Sequence, residues 1–293
     1  MAYWLFRLAT AIAPLLPPQF GYWLFARAGD LSYVLNPAGR ALHIKNLRRV
    51  LGDDTSPSQL NHITRKAYQN LLKNYFDLFR GHRLAPAQVR AQLAEVVGLE
   101  RLEAALAQGK GVIGGSAHFG NFNLFLHLAA VELKPRYEIV VPVERIQPHR
   151  LFEFVKSLRA SQGIHIVPVD TASRLLIKTL KAGQIIGLAL DFDPTSSGPV
   201  VNFFGSPARL PDGAVALSLK YGAPVIAAFI RRLDDNRSAV VIEPPLQFEK
   251  TGDLARDTRA GVEQVVQLLE KWLRAYPEQW LMFQPVWEED KNE

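Results

Sequence analysis

Apolar residues follow two different spacings along the chain, and the spacing changes near residue 93. Over residues 37–93 they recur at intervals near 3.6, as at Leu60 and Ile63, which predicts amphipathic helices. After residue 93, short apolar runs alternate with helical stretches, a pattern typical of parallel strands joined by crossover helices. We therefore predict a helical part over residues 1–93 and an α/β domain over residues 94–293.

The α/β domain is predicted to contain a mixed, largely parallel sheet flanked by helices. The predicted strands cover residues 111–116, 138–143, 165–169, 185–190, 200–204, 224–232 and 238–243. The predicted helices cover residues 121–133, 148–162, 172–182 and 254–276. Ligands of open α/β sheets bind at the carboxyl ends of the strands, so residues that follow a strand are the first candidates for a site.

Two apolar helices are predicted at the N-terminus, over residues 3–16 and 20–35. No residue from 8 to 26 is charged, but prolines interrupt this run, and each half is shorter than the roughly 20 apolar residues that a membrane span needs. Aromatic residues such as Trp4 and Trp23 are typical of helices that lie in a membrane interface. We expect an N-terminal part that associates with the membrane surface; a pair of ordinary buried helices is the alternative.

Composition narrows the classes of partner and chemistry. The net charge is +6 and the pI is near 9.5, which favours acidic partners such as an anionic membrane surface, acyl carrier protein or phosphate-bearing substrates. The chain has no cysteine, which excludes thiolate catalysis, zinc-thiolate sites and disulfides and fits a cytoplasmic location. The histidines show no metal-ligand spacing, and no basic cluster with interleaved aromatics indicates nucleic-acid binding. We expect no metal or cofactor.

One histidine lies where a catalytic residue would be expected. His118 comes directly after the predicted strand 111–116, and a neutral imidazole can accept a proton from a hydroxyl near pH 7. Gly120 would let the backbone approach a ligand closely, and the helix that begins near Asn121 could hold an anion at its N-terminus. Taken alone, a histidine after a strand is more often structural than catalytic.

The run His118-Phe119-Gly120-Asn121-Phe122 resembles the catalytic block of the lysophospholipid acyltransferase superfamily. The closest branch is that of the lipid A lauroyl/myristoyl acyltransferases and the phosphatidylinositol mannoside acyltransferases. Further blocks are similar to that branch in the same order along the chain: residues 141–145, 158–159, 163–168, 190–193, 201–205, 213–217, 222–225, 230–231 and 277–280. The resemblance therefore spans nearly the whole chain.

The resemblance implies transfer of a fatty acyl group from acyl-CoA or acyl carrier protein to a hydroxyl of a membrane lipid, with His118 as general base. A thioester is already activated, so positioning and one base suffice without a metal. The residues expected to contact substrate are Gly120, Asn121, Arg159, Phe203, Phe204, Gly205, Arg209 and Arg231. Core packing is the alternative for the two phenylalanines, and surface ion pairs are the alternative for the arginines.

The sequence departs from the family motif at one position. The family has an acid at the fifth residue after the histidine, where this chain has Asn123. Asparagine can accept a hydrogen bond from the imidazole but brings no charge, and charge-assisted bonds are roughly twice as strong as neutral ones. Asp191, Asp193 or Glu144, which each follow a predicted strand, could supply the carboxylate instead. Otherwise the protein is a slow enzyme or a lipid-binding homologue without catalysis.

Two further hypotheses concern the reaction and the acceptor. Asp191-Phe192-Asp193 also resembles the Asp-x-Asp motif of metal-dependent glycosyltransferases, although three-residue patterns recur by chance. Glu144 and the short stretch after Trp287 favour an acceptor of the phosphatidylinositol mannoside type over one of the lipid A type. In either case we expect the protein to act at the cytoplasmic face of the cell membrane.

Overall fold

The computed structural model describes residues 2–134 and 136–292. The helices are α1 (Ala2–Ile12), α2 (Pro18–Leu35), α3 (Pro37–Leu51), α4 (Pro57–Gly81), α5 (Pro86–Arg90), α6 (Leu99–Leu106), α7 (Phe122–Leu133), α8 (His149–Ser161), α9 (Ser173–Lys181), α10 (Gly213–Tyr221) and α11 (Leu254–Ala275). The strands are β1 (Leu93–Val97), β2 (Val112–Ser116), β3 (Ile139–Val143), β4 (His165–Pro168), β5 (Ile185–Ala189), β6 (Val200–Phe203), β7 (Ser206–Arg209), β8 (Val225–Arg232) and β9 (Ser238–Ile242). Short 3-10 turns cover Ala13–Leu15, Val169–Thr171, Pro277–Gln279 and Glu288–Asn292.

The N-terminal part is helical, and turn residues divide it into separate helices. Gly52, with a φ of 89°, ends α3, because a left-handed φ suits glycine and cannot continue a helix. The Ser56 side chain accepts a hydrogen bond from the Gln59 amide and caps α4. Residues 37–93 were predicted to be helical, and this prediction is wrong for Leu93. That residue begins β1, which pairs in parallel with β9. Pairing at the sheet edge outweighs the helical spacing there.

Seven strands form a mixed, largely parallel sheet in the order β1-β9-β8-β2-β5-β3-β4. The pairs are parallel except for β8 with β9. The predicted strand 200–204 is not part of this sheet, because β6 turns back at Gly205 and pairs antiparallel with β7 as a separate hairpin. The predicted fold class is otherwise the observed one.

The two faces of the sheet are covered differently. On one face α9, α10 and α11 pack with the C-terminal segment around Phe229, Trp272, Trp280 and Trp287. We call this the packed face. On the other face α6 and α7 lie over apolar side chains from β2, β3, β5, β8 and β9. We call this the cavity face, because the space between the layers there is incompletely filled.

The N-terminal helices leave large apolar side chains in contact with solvent. Tyr22 of α2 and Phe76 of α4 are buried together, whereas outward-facing residues of α1, of α2 and of the 3-10 turn between them are not covered. The exposed set is Trp4, Leu5, Leu8, Ile12, Leu15, Phe20, Trp23, Leu24, Leu31, Val34 and Leu35. Within residues 2–134 and 136–292, no helix has the length and apolarity required to cross a bilayer.

Candidate active site

The strand register brings a histidine and an aspartate together at the carboxyl end of the sheet. In the parallel pair β2–β5, Ser116 lies opposite Ala189. His118 and Asp191 each follow these partners by two residues, so both side chains emerge from the same edge of the sheet. This edge is where open α/β sheets place their ligands.

Asp191 holds both the backbone and the imidazole of His118. Its Oδ1 lies 3.0 Å from Nδ1 of His118, and its Oδ2 accepts the His118 backbone N–H at 2.9 Å. The Trp280 indole N–H also donates to Oδ2, at 2.9 Å. Because a carboxylate can only accept, Nδ1 carries the proton and Nε2 is left as the basic nitrogen. The His118 side chain is 41% exposed, whereas Asp191 is fully buried.

The charge of each partner shifts the pKa of the other. Burial alone would lower the pKa of His118, but the negative charge of Asp191 and its hydrogen bond outweigh burial and raise the pKa of the imidazole above its ordinary value. Burial alone would raise the pKa of Asp191. The charge of His118 and the hydrogen bonds from His118 and Trp280 outweigh burial, so the pKa of Asp191 lies below its ordinary value. Asp191 therefore stays ionised and stabilises a protonated imidazole.

The turn after His118 is fixed by backbone constraints and by buried polar contacts. Gly120 has a φ of 55°, and a Cβ there would lie 1.6 Å from the Ile230 carbonyl oxygen. Asn121 caps α7 by accepting from the Leu124 amide at 3.3 Å and donates to Asp77 at 2.9 Å. Gly120 and Asn121 are both buried and shape the turn that carries His118, and their contact with substrate stays a prediction.

A large apolar cavity of about 770 Å³ opens beside His118. It lies on the cavity face and extends from Val112 and Ile185, at the starts of their strands, to Ser116 and His118 at the carboxyl end. Most of its walls are apolar side chains of the sheet, α6 and α7. Its volume is within the range that holds a single ligand of drug or lipid-chain size.

Asn123 does not orient the imidazole, which corrects the expectation drawn from the family motif. Its side chain is buried on α7 and donates to the Asn74 carbonyl oxygen at 3.3 Å. Its Oδ1 accepts from Nη2 of Arg159 at 3.2 Å. Arg159 lines the cavity together with His118. Asn123 therefore contacts this arginine of the site instead of the imidazole.

The other two candidate carboxylates do not hold the imidazole of His118. Asp193 accepts from the Thr195 amide and hydroxyl, at 2.9 and 2.6 Å, and from the Gly198 amide at 2.8 Å. These bonds fix the loop after β5, and among the described residues Asp193 makes no hydrogen bond to the imidazole. Glu144 is exposed, and its charge makes a smaller contribution than Asp191 to the raised pKa of His118.

The remaining residues expected to contact substrate do not line the cavity, and their contact with substrate stays a prediction. Phe203 stacks on Trp287 in the packed core, and Phe204 is also buried. Gly205 forms the hairpin turn, with a φ of 81°. The two arginines have internal partners. Arg209 donates to the Gly198 carbonyl oxygen, and the guanidinium of Arg231 lies over the Tyr276 ring.

The Asp-x-Asp hypothesis receives no support from the geometry. Asp191 bonds His118 and Trp280, whereas Asp193 bonds its own loop, so the two carboxylates do not face a common ligand. In the described part of the chain, no group of three or more histidine, aspartate or glutamate side chains is arranged to hold a metal ion.

Sequence reasoning missed two residues of the site. Ser116 ends β2, lines the cavity and has a buried hydroxyl without a hydrogen-bond partner among the described residues. Its position at a strand end was the available signal. Trp280 reaches Asp191 from a segment far along the chain, which is anchored by hydrogen bonds from the Leu281 amide to the His118 carbonyl oxygen and between His43 and the Trp280 carbonyl oxygen. Nothing local to Trp280 indicated that role.

Comparison with known proteins matches residues 1–289 to the family described as bacterial lipid A biosynthesis acyltransferase. The chain is 30% identical to a phosphatidylinositol mannoside acyltransferase from Mycobacterium tuberculosis over 258 residues, which cover 85% of this chain and 77% of the relative. It is 28% identical to the protein of the same name from Mycolicibacterium smegmatis, over 85% of this chain and 80% of that relative. Identity to the lipid A biosynthesis lauroyltransferase of Escherichia coli is 28%, over 65% of this chain and 60% of the relative.

Proposed function

The chain belongs to the bacterial lipid A biosynthesis acyltransferase family, and from this membership we propose that it moves a fatty acyl group from acyl-CoA or acyl carrier protein to a glycolipid hydroxyl, with His118 as general base. The protein is thus an acyltransferase of the lipid A and phosphatidylinositol mannoside type. One observation carries the proposal: the Asp191-oriented imidazole lies at the wall of a long apolar cavity.

The proposed chemistry uses the free nitrogen of the imidazole. Nε2 of His118 takes the proton from the acceptor hydroxyl while that oxygen attacks the thioester carbonyl carbon. The carbon–sulfur bond then breaks, the thiolate leaves, and the imidazolium returns its proton to the sulfur. Asp191 stabilises the imidazolium between these steps because it remains ionised beside Nδ1. The cavity would hold the acyl chain with its carbonyl end near His118.

The acceptor is proposed to resemble phosphatidylinositol mannoside more than lipid A. The two mycobacterial relatives named for that lipid align with 85% of the chain, whereas the lauroyltransferase aligns with 65%. Glu144, exposed near His118, adds an acceptor for sugar hydroxyl protons. The alignments with the mycobacterial relatives and with the lauroyltransferase both support a glycolipid hydroxyl as the nucleophile.

The test of catalysis is acyl transfer by purified protein. It is incubated with mycobacterial and Gram-negative lipid extracts and with palmitoyl-CoA or palmitoyl carrier protein, and free thiol and new lipid are followed by mass spectrometry. We expect thiol release coupled to a new acylated lipid in wild type, loss of both in His118→Ala, and wild-type rates in the control His165→Ala, an exposed histidine at the start of β4. Transfer by His118→Ala at the wild-type rate would refute the assigned base, and no transfer with any donor would favour a non-catalytic lipid-binding homologue.

We further propose that α1 and α2 dock on an anionic membrane surface. Trp4 of α1 is 67% exposed and Leu35 of α2 is 71% exposed, and clustered exposed apolar side chains on amphipathic helices are typical of interfacial binding. The net charge of +6 adds attraction to anionic head groups. The donor, the lipid acceptor and this surface would then meet at one side of the membrane, proposed to be the cytoplasmic face.

Vesicle sedimentation tests the membrane surface with a matched pair of variants. Leu8 on α1 is 58% exposed and Leu254 at the start of α11 is 57% exposed. We expect Leu8→Asp to reduce binding to phosphatidylglycerol-containing vesicles by about tenfold, because it puts a charge into the interface, and Leu254→Asp to bind as wild type. Equal effects of the two substitutions would remove α1 from the proposal.

A further inference from the structure

The turn that carries His118 is bonded to α4, a helix of the N-terminal part. The Gly120 carbonyl oxygen accepts from Nδ2 of Asn74 at 2.6 Å. The next residue of the turn, Asn121, donates its Nδ2 to Oδ2 of Asp77 at 2.9 Å. Asn74 and Asp77 are three residues apart on α4, so they lie on the same side of that helix. One side of α4 therefore holds two successive residues of the turn.

A buried arginine at the end of β8 orients both of these side chains. Nη2 of Arg232 donates to Oδ1 of Asn74 at 2.8 Å and to Oδ2 of Asp77 at 2.7 Å. A guanidinium can only donate, so it holds the amide oxygen of Asn74 and leaves the amide N–H to face the Gly120 carbonyl oxygen. Asn74, Asp77 and Arg232 are all buried, and hydrogen bonds of charged groups are strong away from water. An ion pair thus fixes the orientation of the groups that hold the turn.

The carboxylate of Asp77 also connects the turn to α2. Tyr22 of α2 is buried and donates its hydroxyl to Oδ1 of Asp77 at 2.6 Å. Nε of Arg80 lies 3.4 Å from the same oxygen. One carboxylate oxygen therefore faces α2, and the other faces the turn after His118. The outer surface of α2 is the one proposed to dock on a membrane, while its buried side belongs to this polar network.

We propose that Asn74 and Asp77 are positioning residues for His118, so that the N-terminal helices align the base as well as contact the membrane. The inference rests on the proposed role of His118 as general base. Neither Asn74 nor Asp77 lines the cavity, so they act through the backbone of residues 120–121. Loosening this turn weakens the 3.0 Å contact between His118 and Asp191, because hydrogen bonds depend steeply on distance and angle.

The titration of His118 reports this alignment. Burial lowers the pKa of His118, and Arg159 of α8 lowers it further. The charge and hydrogen bond of Asp191, with a smaller contribution from Glu144 after β3, outweigh them and raise the pKa above its ordinary value. Asn74→Ala changes none of these charges. A lower pKa of His118 in that variant therefore means a weaker contact with Asp191, since burial is then opposed less.

The experiment follows the imidazole Cε1–H resonance of His118 by NMR as the pH is varied, with the resonance assigned by its absence in His118→Ala. We expect Asn74→Ala and Asp77→Asn to move the titration midpoint to lower pH. In the transfer assay kcat should fall by about tenfold with KM little changed, because the lost hydrogen bond aligns the base and does not bind substrate. The matched control is Asp257→Asn. Asp257 is a buried carboxylate that bonds the Thr251 amide and hydroxyl, so its loss destabilises the fold but should leave the midpoint at the wild-type pH.

The titration requires no acyl transfer, so it separates this inference from the proposed function. An unchanged midpoint in Asn74→Ala would overturn the inference. This variant keeps the ion pair of Asp77 with Arg232 and so retains the fold, and it decides the result if Asp77→Asn does not fold. An equal shift in Asp257→Asn would also overturn the inference, because any loss of stability would then move the midpoint. Shifted midpoints together with an inactive wild type would remove the proposed reaction and leave the positioning of His118 in place.

Discussion

The packed face and the cavity face of the same sheet differ in how completely they are filled. On the packed face, Phe229 stacks on Trp272 with ring centroids 4.7 Å apart, and Trp280 and Trp287 close the layer. On the cavity face, side chains of comparable apolarity surround about 770 Å³ of space. Protein interiors are normally close-packed, and empty apolar volume destabilises them. The difference therefore indicates that the packed face contributes more to the stability of the fold, and it agrees with the proposal that the cavity face binds the acyl chain.

The hydrogen bond between His118 and Asp191 joins these two faces. His118 lines the cavity, whereas Asp191 is fully buried and is bonded to Trp280 of the packed face. The imidazole proposed as the base thus faces the cavity, while the carboxylate that orients it is held by the packed face of the molecule. Preorganisation of this kind is what positions a catalytic group within a fraction of an ångström.

The largest expected effect comes from Asp191→Asn, which removes the negative charge from the hydrogen-bonded pair of His118 and Asp191. We expect the transfer rate to fall by about 10⁴, the magnitude found when the carboxylate of a comparable His–Asp pair is replaced by an amide. Without Asp191, burial lowers the pKa of His118. Wild type loses activity as pH falls through its raised pKa, so the acidic limb of the variant's pH–rate profile should move to lower pH. An unmoved limb would contradict the pairing.

The next largest effect is expected on the free energy of unfolding, and it compares one residue of β8 on the packed face with one on the cavity face. Phe229→Ala on the packed face is expected to lower the free energy of unfolding by about 4 kcal/mol, because it opens a cavity in a filled layer. Ile226→Ala, whose side chain lines the existing cavity, should lower it by only about 2 kcal/mol, since fewer contacts are lost. Urea unfolding followed by tryptophan fluorescence measures both. Equal losses would mean that the two faces are equally packed.

A smaller effect is expected from adding volume at neighbouring positions of β8. Ala227 is buried on the packed face and Ala228 lines the cavity. Ala227→Leu should destabilise the fold by about 2 kcal/mol through overpacking. Ala228→Leu should destabilise it less and should shift preference from palmitoyl to lauroyl donors by about tenfold in kcat/KM, because the chain space is shortened. An unchanged donor preference would place the acyl chain elsewhere.

The smallest effect is expected from Trp280→Phe, which retains an aromatic ring in the packed face and removes the N–H that bonds Asp191. We expect kcat to fall by about tenfold with KM little changed, because one charge-assisted hydrogen bond that holds the carboxylate is lost. Thermal unfolding should move by only a few degrees. A loss of activity that merely follows the loss of folded protein would indicate that Trp280 acts only in packing.

The sequence could predict the edge of the sheet at which the site lies, but not all of the partners. His118 and Asp191 were both candidates because each follows a strand. Their contact depends on β2 and β5 lying side by side although β3 and β4 intervene in the chain, and sequence spacing does not encode that order. The fold class was predictable from the alternation of apolar runs, whereas β1 at Leu93 was not, because its pairing with β9 is remote in sequence.

Residues on helices and hairpins were harder to place than residues on strands. Asn123 could be expected beside His118 from motif spacing, yet the rotation of α7 turns it toward Arg159. Phe203 lay in a recognisable block, but the hairpin of β6 and β7 folds it into the packed face, and Arg209 at the end of that hairpin donates to the Gly198 carbonyl oxygen. A motif records which residues recur together, while their orientation depends on packing that only the folded chain displays.

The anchoring of Trp280 also sets an order in which the hydrogen bonds around Asp191 can form during synthesis. Its segment bonds His43, the His118 backbone and Asp191, three points that are synthesised well before it. A growing polypeptide is made from its N-terminus and its early parts can begin folding first. The apolar helices α1 and α2 would thus be ready for a membrane while the carboxylate of Asp191 still lacks its indole partner. The hydrogen bond from the Trp280 indole to Asp191 can form only after residue 280 has been made.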